Sequence, residues 1–104
     1  MKFNIKVYHP IKSDFPREFY SKNYSFETPD VVIEPDLNGN MTNDDIAEWL
    51  FHSTNAPASL LSHEMMKVVE AFKEAKSPAL SVGDIIEIGD SKLFCAPVGF
   101  KGVK

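Results

Sequence analysis

Residues 84–96, DIIEIGDSKLFCA, constrain this chain more than any other stretch. Ile85, Ile86 and Ile88 read as a strand, and Leu93 to Ala96 read as its return. Gly89-Asp90 between them suits a two-residue hairpin turn, which needs positive φ at its centre. With the turn there, Ile88 faces Ser91, Glu87 faces Lys92 and Ile86 faces Leu93; sliding it to Asp90-Ser91 pairs Ile88 with Leu93 instead. In both registers Ile86, Ile88, Leu93 and Cys95 share one face, because strand side chains alternate with period two. The chain's single cysteine therefore points toward the core, where Cys behaves as a small hydrophobe.

The remaining pattern builds around that hairpin. Lys2–Tyr8 alternates, with Phe3, Ile5 and Val7 on one side, and reads as a half-buried strand ended by His9-Pro10. Val31-Val32-Ile33 lies between Pro29 and Pro35 and reads as a short strand. Thr42 caps a helix over about 43–54, with Asp44 and Asp45 complementing the dipole of its first turn. Its inward stripe is Ile46, Trp49 and Leu50, flanked by Phe51. Leu61, Met65, Val68 and Phe72 set the rhythm of a second helix over about 58–76, widened by Leu60 and Val69 and stopped by Ser77-Pro78.

These elements predict an α+β domain. Its small, mostly antiparallel sheet has about four strands (2–8, 31–34, 84–88 and 92–96), with two helices packed on one face. The expected core holds Ile5, Val7, Ile33, Trp49, Leu50, Leu61, Met65, Val68, Phe72, Ile86, Ile88, Leu93 and Cys95. A length of 104 residues fits one domain spanning 1–104. The 43% apolar and 25% charged fractions are those of an ordinary soluble globule. No apolar run approaches the ~20 residues of a membrane span, and the N-terminus lacks the apolar core of a signal peptide. One cysteine excludes an internal disulfide and a four-cysteine zinc site; the expected compartment is reducing cytoplasm.

Charge is segregated. Between Asn23 and Met66 there are eight carboxylates and no Lys or Arg, although the net charge of the whole chain is only −4. Segment 11–29 is irregular and carries Phe15, Phe19, Tyr20, Tyr24 and Phe26. Two readings fit: solubilising charge that has simply segregated, with aromatics that cover the core, or a binding surface. The latter has an electrostatic face of Glu34, Asp36, Asp44, Asp45 and Glu48, beside an aromatic arm of Phe15, Phe19, Tyr20 and Tyr24 joined by Phe100 of the C-terminal loop. Such a surface suits a partner protein with a basic face and disfavours direct nucleic-acid binding.

Sites for chemistry are weak by comparison. Asp36, Asn38 and Asn40 start like a calcium loop, but Met41 stands where that loop needs Gly and Ala47 where it needs Glu. His9, His52, His63 and Cys95 contain no closely spaced ligand pair, so no metal or other cofactor is expected. The glycines are scattered, and none joins a strand to a helix as a phosphate loop would. The expectation is a protein without catalytic residues. An enzyme using Cys95 with a histidine ranks third, behind a small-molecule or nucleotide-sequestering protein, oligomeric in that case.

The segment LSVGDIIEIGDSKLFCAPVGF resembles the C-terminal module of YodL-like proteins and of related short proteins encoded by phages and mobile elements. Leu80, Ser81, Val82, Gly83, Asp84, Phe94, Cys95, Ala96, Gly99 and Phe100 carry the likeness. IKVYHPIK is similar to the opening strand of the short phage versions, and NDDIAEWLFHSTN to their helix. The resemblance implies a non-enzymatic protein of the bacterial cytoplasm that inhibits a host defence or nucleic-acid-processing system by binding a host protein. Segment 27–48, with seven carboxylates, would then imitate nucleic acid toward a basic nuclease or CRISPR-type effector. If a site lies in the C-terminal stretch, Asp84 and the loop from Pro97 to Lys101 are its expected residues.

Overall fold

The computed structural model describes residues 1–9, 26 and 28–103. The expected α+β architecture is present, with a fifth strand. Strands β1 (Ile5–Tyr8), β2 (Val31–Ile33), β3 (Ile85–Ile88), β4 (Ser91–Cys95) and β5 (Phe100–Val103) form one antiparallel sheet in the order β2-β1-β3-β4-β5. Helices α1 (Asn43–Asn55) and α2 (His63–Glu74) lie between β2 and β3 in sequence. The β3–β4 hairpin turns at Gly89-Asp90, with Gly89 at φ 58, and pairs Ile86 with Leu93 and Glu87 with Lys92. The first register predicted from sequence is the one adopted.

The helices cover one face. Ile5, Val7, Val31, Ile33, Ile86, Ile88 and Leu93 pack there against Ile46, Ala47 and Leu50 of α1, and Val68 and Phe72 of α2. Of the expected core residues, Trp49, Leu61 and Met65 are only half-buried, and Leu80 joins the core unpredicted. The opposite face is buried in part: Tyr8, Ile85, Phe94 and Ala96 form a second cluster, while Val32 on β2 is exposed. Phe26 sits edge-on against Tyr8, with ring centroids 4.9 Å apart, and Lys92 lies 5.3 Å from the Phe26 ring. The Tyr8 hydroxyl donates to Glu87 at 2.6 Å. Burial, this bond and the Glu87 charge push the phenol up to about 12.

Two elements differ from expectation. The second helix does not begin at Ala58. A 3-10 turn spans Ala58–Leu60, and Ser62 then caps α2 by accepting from the Met65 N–H. The hydroxyl satisfies a donor that a continuous helix would have bonded to its own backbone, so the chain breaks where the apolar rhythm runs on. At the other end, the expected loop from Pro97 to Lys101 closes after Gly99. Gly99 takes φ 73, Ala96 N donates to Gly99 O at 3.0 Å, and Phe100 pairs with Cys95.

Candidate functional site: a groove beside helix α1

Helix α1 is fixed at its start by a capping box: Asp45 N donates to Thr42 Oγ1, and Thr42 N donates to Asp45 Oδ2, both at 3.1 Å. With that end fixed, Ile46, Ala47, Leu50 and Ser53 point into the core. The adjoining stripe of Glu48, Phe51, His52 and Asn55 faces the β4–β5 hairpin. Between them lies an open groove of about 520 Å³. Phe51, Val82, Cys95, Ala96 and Phe100 give it apolar walls, while Glu48, His52 and Asn55 supply polar groups. Among the described residues, no Lys or Arg lines it. Val98, at the hairpin tip, is 88% exposed.

The groove brings together two of the expected site residues, Glu48 and Phe100. Asp44 and Asp45 stand exposed one turn earlier on α1, within the three- and four-residue spacings that make helix neighbours of Glu48. Glu34 and Asp36 lie elsewhere, at a cleft between β2 and α2 that also contains Lys2, Glu64 and Lys67. There Asp36 accepts from the Met1 ammonium at 2.6 Å, and its backbone N–H donates to Glu64 at 3.0 Å. The bond from that ammonium and its charge hold the Asp36 carboxyl below its ordinary value. The bond from Asp36 N–H and the one from Lys67 lower Glu64 in the same way. The five carboxylates therefore divide into a three-residue group along α1 and a charge-balanced pair near β2. Phe15, Phe19, Tyr20 and Tyr24 lie outside the described residues.

Cys95 faces inward, as parity requires, and is buried. Burial, aided by the nearby Asp84 charge, pushes its thiol up to about 11. A thiol nucleophile needs the opposite shift. Asp84, the other residue expected of a site in this stretch, is buried too, only 3% exposed.

Asp84 instead anchors a cluster that no local motif announces. Its Oδ2 accepts from Ser81 N at 2.8 Å, and its Oδ1 lies 2.8 Å from His9 Nδ1. The other ring nitrogen, His9 Nε2, lies 2.6 Å from Ser77 Oγ. The order Ser–His–Asp is that of an acyl-transfer relay. The backbone around Ser77 argues against that use. Lys76 takes φ 55 in a Schellman ending of α2, and Ser77 N donates to Phe72 O at 2.9 Å. The next residue, Pro78, has no N–H. Both backbone donors nearest the hydroxyl are thus unavailable to an oxyanion.

Among the described residues, no group of three or more His, Cys, Asp or Glu is placed to hold a metal ion, and no helix is long and apolar enough to cross a membrane. Comparison of the chain with protein-family models, with curated proteins and with solved structures gives no match.

Proposed function

We propose that this protein acts by binding: a phage-type accessory factor that inhibits a host defence or nucleic-acid-processing protein in the bacterial cytoplasm. Its docking surface is the groove between α1 and the β4–β5 hairpin. The observation that carries the reading is the pairing of apolar walls (Phe51, Phe100) with an acidic edge that, among the described residues, no lining Lys or Arg neutralises. Glu48 sits at the groove, and Asp44 and Asp45 extend the negative stripe along α1. A partner segment with an aliphatic or aromatic side chain for the groove and Arg or Lys for the stripe complements this surface. The resemblance of residues 80–100 to short phage-encoded proteins supports the counter-defence role.

The groove volume also lies within the range of small-molecule sites, which favours a second reading as a sequestering protein. The negative edge opposes phosphate-bearing ligands, so protein binding ranks first.

Selection of randomised peptides against the protein tests the docking surface. Enriched peptides should combine Arg or Lys with an apolar anchor, and their affinity should fall as salt rises. Glu48→Lys should weaken them about tenfold. Peptides without basic residues, bound equally by the Glu48→Lys protein, would contradict the reading.

A further inference from the structure

We propose that the His9–Ser77–Asp84 cluster is a proton-operated latch on the groove: the charged ring holds the Ser81–Asp84 turn firmly, and the neutral ring holds it only weakly. The idea rests on the groove being the binding surface, because it concerns the regulation of that surface.

The hydrogen-bond inventory favours the charged ring. Besides lying 2.6 Å from His9 Nε2, Ser77 Oγ is 3.0 Å from Pro78 O, positioned to donate to it. A hydroxyl has one proton to donate. With His9 protonated, Nδ1–H donates to Asp84 and Nε2–H donates to Ser77, whose own proton goes to the Pro78 carbonyl. Every group then has a partner. With His9 neutral and Nδ1–H held by Asp84, Nε2 becomes an acceptor and competes with Pro78 O for the single Ser77 proton. One bond of the chain is lost.

The surroundings act in the same direction. Among the described residues, the charges acting on His9 are Asp84, from the turn before β3, and Asp30, whose Oδ2 accepts from His9 N at 2.7 Å. Burial disfavours the charged ring, but the Asp84 hydrogen bond and the charges of Asp84 and Asp30 outweigh it, so His9 stays protonated above its ordinary value of 6.5. The Cys95 thiol of β4, which senses the Asp84 charge, is neutral throughout this range.

The latch is wired to the groove through backbone. Asp84 N donates to Ser81 O at 3.1 Å, Cys95 N donates to Asp84 O at 2.9 Å, and Gly83 N donates to Cys95 O at 2.8 Å. Val82 in this turn and Cys95 on β4 both line the groove. The Asp84 carboxylate joins Ser81 N–H on one side to His9 on the other. Loss of the ring's charge leaves Asp84 with a neutral donor in place of a charged one and therefore weakens the hold on the turn that carries Val82. Because the folded protein holds the proton more tightly than the unfolded chain, the latch stabilises fully below pH 6.5 and weakens as pH rises through the folded-state value.

An NMR titration of the free protein from pH 5 to 9 tests this. The His9 ring should titrate above 6.5, and the amides of Val82, Asp84, Cys95 and Phe100 should shift with the same midpoint. In His9→Gln those amide shifts should vanish. Affinity for a basic peptide selected as above should fall about fivefold across that midpoint, within the usual range of coupling between sites. A His9 midpoint at or below 6.5, or groove amides indifferent to it, overturns the latch. If His9→Gln does not fold, the wild-type titration alone decides. Amides that follow His9 in a protein that binds no basic peptide would support the latch and refute the groove reading. Peptide binding with silent amides and a flat pH profile would do the reverse.

Discussion

Phe94→Ala is expected to lower the unfolding free energy by about 3–5 kcal/mol, the cost of truncating a buried aromatic ring. Phe94 is 2% exposed and packs with Tyr8, Ile85 and Ala96 on the sheet face away from the helices. Small domains carry only about 5–15 kcal/mol of stability in total, so the variant should unfold at a much lower urea concentration. A loss below about 0.5 kcal/mol, typical of exposed positions, would place Phe94 in solvent and contradict burial on both faces.

Asp84→Ala should cost about 3 kcal/mol near pH 6. The substitution removes the acceptor of the Ser81 N–H and the partner of a charged His9. The cost has a pH signature. His9 keeps its proton below the folded-state value, so the variant loses an ion pair at low pH and, at high pH, only the bonds that the carboxylate accepts from neutral donors. Urea unfolding at pH 6 and pH 9 should therefore show the larger deficit at pH 6. Asp84→Asn, which keeps an acceptor for Ser81, should lose about half as much at pH 6. Equal deficits for Asp84→Ala at the two pH values would mean that His9 carries no charge in the fold.

Local features were legible where one rule sufficed. Period-two alternation and the turn residues narrowed the β3–β4 pairing to two registers, of which the sheet adopts the one turning at Gly89-Asp90, and Thr42 with Asp45 marked the start of α1. The break at Ser62 was hidden because Leu60, Leu61 and Met65 continue a helical rhythm through it. Strand β5 was hidden by Gly102, a residue poor in strand interiors, and by the turn residues Pro97 and Gly99. Burial of the second face had a visible signal in the adjacent pair Ile85-Ile86, since two successive apolar strand residues point to opposite faces. The one-face expectation overrode it.

The candidate site was legible only in part. Glu48 and Phe100 were singled out for charge and aromaticity, and the fold places both at one groove. Glu34 and Asp36 belong to the same acidic segment, but folding sets them beside Lys2 and Lys67. Charge along a chain does not specify which cations will neighbour it in space. The His9–Ser77–Asp84 cluster joins residues 68 and 75 positions apart, so no spacing rule could have announced it.

The central claim is that the α1 groove mediates inhibition of a host defence protein. Phage plating on bacteria that carry a restriction or CRISPR system, with and without this protein expressed, tests it most directly. The wild type should raise plating toward that of a defence-free host, and an Asp44→Lys/Glu48→Lys double variant, folded by circular dichroism, should not. Relief of defence by the charge-reversed variant equal to that of the wild type, or no relief by the wild type across such systems, would contradict the account.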